Sequence, residues 1–204
     1  MNESVRGARE RDALRRKLRG LRAAVPAAQR IGAAQALVGS LEQVPEFMTD
    51  RRIGGYWAVD GEVPLMALIG GLLARNQEYC LPVIGADRQL RFAPWRPGEE
   101  ITANRYGIPE PACEPAGLLQ PSELDVVLVP LLGFDRRGHR LGFGGGYYDR
   151  SFAFLHGRKD VGKPVLVGIA YSLQEVAALD EQPWDVHLDY VATERELIDL
   201  TLPP

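Results

Sequence analysis

The sequence has little cysteine and no long hydrophobic run, and both absences exclude classes of protein. Only two of the 204 residues are cysteines, Cys80 and Cys113, and they lack CxxC spacing, which excludes a disulfide framework and a cysteine-ligated zinc site. No stretch approaches the roughly 18 apolar residues of a membrane span, and residues 1–30 lack a hydrophobic signal core. We therefore expect a cytoplasmic protein with reduced thiols and no membrane contact.

A large overall excess of one charge sign is also missing. The formal net charge is -3, but residues 1–30 carry nine Lys/Arg against three Asp/Glu, and the remainder carries 15 against 24. The acidic remainder disfavours a nucleic-acid binder, although the basic segment alone could follow a phosphate backbone. With 46% hydrophobic and 25% charged residues and no internal repeat or linker, we expect one monomeric domain over residues 1–204.

The basic segment predicts an amphipathic helical arm. Leu14, Leu18 and Leu21 recur at helical spacing within residues 9–22. Arginines occupy the adjoining stripe, namely Arg11, Arg15 and Arg22, with Arg19 close behind. This helix is expected to dock by its leucines and to present guanidinium groups along one edge.

The remaining chain alternates short apolar runs with helical patterns. A second helix is predicted from Pro26 to Leu41, and further helices over residues 64–75 and 148–156. The predicted strands are residues 52–59, 78–84, 89–95, 124–130, 165–170 and, as the last one, 188–193. Four prolines predict a surface loop over residues 106–121. The alternation indicates an α/β fold with an open, largely parallel sheet flanked by helices and preceded by the helical arm.

A glycine-rich stretch follows the most apolar predicted strand. Its five glycines lie at positions 138, 142, 144, 145 and 146, immediately before a predicted helix. Glycines also serve hairpins and bulges, but such a loop can direct its N–H groups at an anion beside a helix N-terminus. Arg140 and Arg150 add positive charge, while Tyr147, Tyr148 and Asp149 add aromatic surface, hydroxyls and a carboxylate. This mixture suits a nucleoside triphosphate beside an aromatic substrate, with Asp149 as a ligand for Mg²⁺.

Two other features have competing interpretations. Residues 157–163 satisfy GxxxxGK, but Pro164 replaces the hydroxyl that should bind magnesium and the strand follows rather than precedes, so we predict a polar turn. Glu62 lies just past the first predicted sheet strand, where a carboxylate could accept hydrogen bonds from an aminopyrimidine, or could serve a helix N-terminus instead. The three histidines, His139, His156 and His187, are scattered without metal-ligand spacing and are predicted to be surface or packing residues.

Five segments in order resemble the signature of the 5-formyltetrahydrofolate cyclo-ligase family. They are RDALR at 11–15, DGE at 60–62, RFAPWRPG at 91–98 leading to YGIPEP at 106–111, PLLGFD through GGGYYD over 130–149, and WDVHLD at 184–189. The resemblance implies ATP- and Mg²⁺-dependent closure of 5-formyltetrahydrofolate, with or without a polyglutamate tail, to 5,10-methenyltetrahydrofolate. Another ATP-using or sugar-phosphate enzyme on the same scaffold is the alternative.

The resemblance also implies roles for individual residues. It assigns Arg11, Arg15, Arg140, Gly142, Gly144, Gly145, Gly146 and Tyr148 to ATP, Trp57, Glu62, Tyr106 and Tyr147 to the folate, Asp149 and Asp189 to Mg²⁺, and Arg140 and Tyr147 to the reacting groups. Some family members have basic residues where this chain has Phe143 and Gly145. Backbone N–H groups and Arg140 are therefore expected to carry more of the phosphate charge here.

Overall fold

The apolar segments form a central sheet with helices on both faces. The computed structural model describes residues 3–158 and 162–201. The helices are α1 (Glu3–Ala23), α2 (Ala27–Leu41), α3 (Pro45–Thr49), α4 (Met66–Ala74) and α5 (Tyr147–Ser151). The strands are β1 (Arg52–Gly54), β2 (Glu78–Ile84), β3 (Leu90–Pro94), β4 (Ile101–Ala103), β5 (Pro109–Pro111), β6 (Val126–Pro130), β7 (Gly133–Phe134), β8 (Arg140–Leu141), β9 (Val165–Ile169), β10 (Tyr190–Ala192) and β11 (Leu197–Asp199).

The main sheet has seven strands in the order β11-β10-β9-β6-β1-β2-β3. The four inner pairings are parallel, whereas β3 and β11 pair antiparallel at the two edges. This arrangement confirms the predicted open, largely parallel α/β sheet with an N-terminal helical arm. The carboxyl ends of the parallel strands lie at one edge, which is where ligands bind in sheets of this kind.

The position of β6 in the middle of the sheet explains why its sequence is continuously apolar. Val126 and Leu128 pack into a core on one sheet face, together with residues of α2 and α4. Val127 and Val129 pack into a second core on the opposite face, which also contains Phe152. Because both faces of β6 are covered, no position in the strand is left for a polar side chain.

Helix α1 docks as predicted through part of its apolar stripe. Leu18 is buried against Leu141 and Leu179, and Leu14 packs beside them. Leu21 is 44% exposed, whereas Arg22, predicted on the presented edge, is fully buried. No helix in the described part of the chain is long and apolar enough to cross a membrane.

The first predicted strand, residues 52–59, is too long. The ladder ends at Gly54, and Gly55 donates one more hydrogen bond to the carbonyl of Cys80. The Tyr79 ring then fills the space beside Gly55, and its hydroxyl binds both the N–H and the carbonyl of Tyr56. The Tyr79 hydroxyl therefore takes the backbone hydrogen bonds that a neighbouring strand would otherwise provide, and the chain leaves the sheet.

The prediction of a loop over residues 106–121 is wrong in part. Strand β5 lies within it and pairs antiparallel with β4 in a separate two-stranded sheet. Its two prolines are tolerated because every strand of such a sheet has one unpaired edge. The predicted helix 148–156 is split into α5 and a 3-10 turn at Ala153–Leu155, and residues 188–193 are followed by a further strand, β11. The predicted turn at 157–163 includes residues 159–161, which lie outside the described residues.

Candidate active site

Glu62 lies in the segment that follows β1, at the carboxyl edge of the sheet. It is buried, and its Oε2 accepts a hydrogen bond of 2.9 Å from the N–H of Val59. Burial raises its pKa to about 7, because the hydrogen bond and Arg22 offset the loss of solvation only in part. Glu62 is thus a buried carboxyl group that titrates near neutrality, which is typical of a functional group.

Arg22 of α1 reaches the same place from the opposite side. Its Nη1 lies 3.9 Å from Glu62 Oε1 and 3.3 Å from the carbonyl of Leu131, and its Nε donates to the carbonyl of Asp60 at 3.0 Å. Its Nη2 is buried and has no partner among the described residues. The helical spacing put Arg22 on the same edge of α1 as Arg11 and Arg15, but the fold places its charge beside Glu62.

Aromatic residues on two sides of this edge form pairs. Trp57 meets Trp95 edge-to-face with ring centroids 5.7 Å apart. Tyr106 and Tyr147 share a hydrogen bond of 2.7 Å between their hydroxyls, and Arg105 donates to the Tyr147 hydroxyl at 3.0 Å. These hydrogen bonds lower the pKa of Tyr147. The structure therefore brings together Tyr106 and Tyr147, two residues predicted to contact the folate, whereas Arg105 gave no sequence signal.

The glycine-rich loop after β8 has a row of unsatisfied backbone donors. The N–H groups of residues 142–146 donate no hydrogen bond to any described residue. Two carbonyls of the same loop are covered by arginines, since Arg15 Nε donates to Gly142 at 3.0 Å and Arg150 Nη2 to Gly145 at 2.6 Å. Gly144 has φ +100°, which a larger residue would adopt only with strain. Free N–H groups and neutralised carbonyls together make this loop receptive to an anion.

Of the three arginines predicted along one edge of α1, Arg15 hydrogen-bonds the loop, whereas Arg11 and Arg22 have other hydrogen-bond partners. Arg15 reaches Gly142, as described above, and also pairs with Asp12. Arg11 instead binds the segment before β10, where it donates to the carbonyl of Asp180 and lies 3.5 Å from Asp185 Oδ2. Arg19 and Arg22 both lie over the ring of Phe143, with their guanidinium carbons 5.7 and 4.9 Å from the ring centre.

Arg140 is buried at the base of the loop, between Asp149 of α5 and the carbonyl of Val186. Val186 also donates its N–H to Asp149 Oδ1. Arg140 and Val186 thus both donate to Asp149 Oδ1, and Asp149 Oδ2 accepts no hydrogen bond from the described part of the chain. Because α5 has only five residues, its dipole adds less to anion binding than the predicted nine-residue helix would.

Asp189, the second predicted magnesium ligand, has different neighbours. It is buried at the start of β10, where its Oδ2 accepts hydrogen bonds from the N–H of Leu166 and from Arg158. Burial raises its pKa. Asp149 and Asp189 share no hydrogen-bond partner among the described residues, so a common metal site for the two carboxylates remains a prediction.

Comparisons with known proteins identify the family of the chain. A sequence model of the 5-formyltetrahydrofolate cyclo-ligase family matches residues 8–194. The chain belongs to the 5-formyltetrahydrofolate cyclo-ligase family. It is therefore a ligase, as the resemblance of its motifs predicted, and the match includes α1 from residue 8 onward, the glycine-rich loop and both predicted magnesium ligands.

Individual cyclo-ligases and one solved structure extend over most of the chain. The 5-formyltetrahydrofolate cyclo-ligase of Haemophilus influenzae is 33% identical over 88% of this chain and 95% of its own length. That of Mycolicibacterium smegmatis is 34% identical over 91% of this chain and 94% of its own. The NMR structure of Aquifex aeolicus 5,10-methenyltetrahydrofolate synthetase superposes with a TM-score of 0.80 and 28% identity, covering 95% of this chain and 94% of that one.

A substitution at Gly145 tests the glycine-rich loop of this cyclo-ligase. A Cβ at Gly145 would lie 3.0 Å from the ring of Tyr147, a predicted contact to the reacting groups. Gly145→Val should therefore displace that ring and lower kcat by about 100-fold, the cost of a misplacement of about 1 Å at a reaction centre. Steady-state kinetics and circular dichroism measure activity and folding together. Gly117→Val, at an exposed site with nothing near the added Cβ, is the matched control. Full activity in folded Gly145→Val would contradict a role for the loop.

Proposed function

We propose that this cyclo-ligase converts 5-formyltetrahydrofolate to 5,10-methenyltetrahydrofolate at the expense of ATP, with Mg²⁺ and with release of ADP and phosphate. The observation that carries the proposal is the row of free N–H groups at 142–146, between Arg15 and Arg140. Arg22 connects that row to Glu62, because its Nη1 lies 3.9 Å from Glu62 Oε1 and its guanidinium carbon lies 4.9 Å from the ring centre of Phe143 in the loop. The proposed anion site and the carboxyl group that would bind the pterin are therefore close to each other.

The chemistry explains why both substrates must meet. A formyl oxygen is a poor leaving group, so it first attacks the γ-phosphorus of ATP, forming an O–P bond as ADP departs. The N10 lone pair then attacks the formyl carbon, N10 loses its proton, and the C–O bond breaks to release phosphate. No protein side chain forms a covalent bond, so the enzyme acts by positioning and charge stabilisation.

The described residues divide these tasks. We assign the free N–H groups, Arg15 and Arg140 to the triphosphate, whose charge they balance. Ionised Glu62 would accept the two N–H donors of the pterin ring edge. Tyr147, hydrogen-bonded to Tyr106 beside Gly145, would contact the formyl group at the boundary between the substrates. Arg11 and Trp57 remain predicted contacts to ATP and to the folate.

The donor set also fits Mg²⁺. Asp149 Oδ2 is a carboxylate oxygen not engaged by the described residues, and Mg²⁺ is commonly held by one or two carboxylates together with substrate phosphates. Bound Mg²⁺ would neutralise phosphate charge next to Arg140. Asp149 would hold the ion, and Asp189 remains the second predicted ligand.

The direct test measures product formation. Purified protein, 5-formyltetrahydrofolate, ATP and Mg²⁺ should yield the near-ultraviolet absorption of 5,10-methenyltetrahydrofolate, with one ADP released per product. Reactions that lack ATP or Mg²⁺ are the controls. Absence of product under complete conditions would contradict the proposal and leave another ATP-using reaction on this scaffold.

A substitution at Arg15 tests the assignment of the phosphate site. Arg15→Ala should raise the KM for ATP about 30-fold and leave the KM for the folate nearly unchanged, because a charge-assisted hydrogen bond contributes ~2 kcal/mol. Arg16→Ala is the matched control, because this neighbouring arginine is exposed. Equal increases in both KM values would mean that Arg15 only supports the fold.

A further inference from the structure

Two of the three histidines in the chain meet on the surface, although they are far apart in sequence. His139, which immediately precedes β8, and His187 have ring centroids 5.0 Å apart. Glu181 lies between them, with Oε1 2.8 Å from His187 Nε2 and Oε2 3.6 Å from His139 Nε2. One candidate ligand atom from each residue lies within 4.8 Å of the other two. These two histidines, predicted to be surface or packing residues, thus form a cluster that their sequence spacing does not indicate.

His139 is held in the orientation of a metal ligand. Its Nδ1 lies 3.0 Å from Oδ2 of Asp135, a carboxylate with no exposed surface. Asp135 is itself fixed by the backbone N–H groups of Arg137 and Leu179. A carboxylate at Nδ1 favours the tautomer that metal-bound histidines adopt, in which Nε2, the nitrogen on the side of Glu181, is the ligand atom. Metal-bound histidines have this second partner almost without exception, because it fixes the ring and the tautomer.

We propose that His139, Glu181 and His187 bind one Zn²⁺ ion at a site separate from the proposed magnesium site. Two imidazoles and one carboxylate form a donor set that Zn²⁺ prefers, whereas Mg²⁺ prefers oxygen ligands. Tetrahedral zinc with ligands at about 2.0–2.1 Å places them roughly 3.3 Å apart, so the three side chains need to move little. Glu181 and His187 are half exposed, which leaves the fourth position to water.

Nearby charges are compatible with the ion. The Arg137 guanidinium is held by Asp135 Oδ2 and the carbonyl of Leu179 and forms no described ion pair with Glu181. Two neutral histidines and one carboxylate reduce the net charge of bound zinc to one. The site requires no second carboxylate.

The ion would join two segments that also contact the proposed phosphate site. His139 belongs to the β7–β8 hairpin, whereas Glu181 and His187 belong to the segment before β10. Arg11 pairs with Asp185 in that segment, and Arg140 donates to the carbonyl of Val186. Zinc would therefore hold in place the segment before β10, which Arg11 and Arg140 contact, and it should stabilise the folded protein.

The test is a titration of chelator-treated, full-length protein with Zn²⁺ in the presence of excess Mg²⁺. Calorimetry should give one zinc per chain, and saturation at about 100 times Kd should raise Tm by about 5 °C. His139→Gln, His187→Gln and Glu181→Gln should each weaken binding by about 100-fold and remove the Tm shift. His156→Gln, which changes the exposed third histidine, is the matched control and should bind like the wild type.

Two results would overturn the proposal. One is the absence of stoichiometric zinc binding by the wild-type protein. The other is zinc binding that survives in His187→Gln and Glu181→Gln, because the ion would then lie elsewhere, for example at the exposed Cys113. Both positions are half exposed, so these variants should fold and the result can be interpreted. Asp149→Asn should retain zinc, which separates this site from the magnesium site.

Discussion

Replacement of Arg140 by alanine is expected to lower kcat/KM for ATP by about 10³-fold. A preorganised donor to developing charge is worth ~3–4 kcal/mol in a water-excluded site, and Arg140 is buried at the base of the glycine-rich loop. The substitution would also leave Asp149 without its cation, next to the proposed phosphate site. Steady-state kinetics at varied ATP, with the concentration of folded enzyme measured separately, gives the result.

Two variants serve as controls for Arg140→Ala. Arg136→Ala removes an exposed arginine of the same hairpin, one that pairs with Glu175 and Glu196, and should alter kcat/KM less than twofold. Arg140→Lys should recover part of the activity, because it restores charge without the two-pronged geometry. If Arg140→Ala changed only Tm, with normal kinetics per folded molecule, Arg140 would be a structural residue.

Replacement of Glu62 by glutamine should raise the KM for 5-formyltetrahydrofolate by about 10²–10³-fold. Loss of a buried charged partner costs ~2–5 kcal/mol, and the amide would set an N–H group against the pterin donors. ATP affinity should change little. Glu175→Gln, at a position that pairs with the exposed Arg136, is the matched control.

The pH dependence provides a second readout for Glu62. Burial raises its pKa to about 7, and only the ionised form accepts both pterin N–H groups. Folate affinity of the wild type should therefore be constant above pH 7 and fall about tenfold per unit below it. Glu62→Gln should show weak binding without this dependence. A wild-type affinity that is flat between pH 5.5 and 8 would contradict the assignment.

The main sheet follows from the sequence where local patterns decide the outcome. Residues 78–84 form β2 at the predicted bounds, because both their propensity and their apolar pattern favour a buried strand. Strand β1 ends early because the Tyr79 hydroxyl replaces a sheet partner, which is a tertiary event with no local signal. Strand β5 escapes prediction because its prolines oppose a strand except beside an unpaired edge.

The candidate site, like the sheet, follows from the sequence only where local patterns decide the outcome. The glycine-rich loop and Glu62 are visible as motifs, and the fold places them at the same edge. The burial of Arg22 against Glu62 depends on how α1 docks, which helical spacing alone leaves undefined. The meeting of His139 and His187 likewise depends on the path of the segment before β10, since no spacing rule connects two such distant positions.

Helix α1 also has a consequence for the geometry of the enzyme as a whole. Arg15 contacts the glycine-rich loop and Arg22 contacts Glu62, so a single helix contacts the proposed binding sites of both substrates. Seven residues of helix span about 10 Å, so α1 sets the distance between the proposed nucleotide and pterin sites. Insertion of three or four residues between these arginines would keep both on one side of the helix but place them a full turn too far apart.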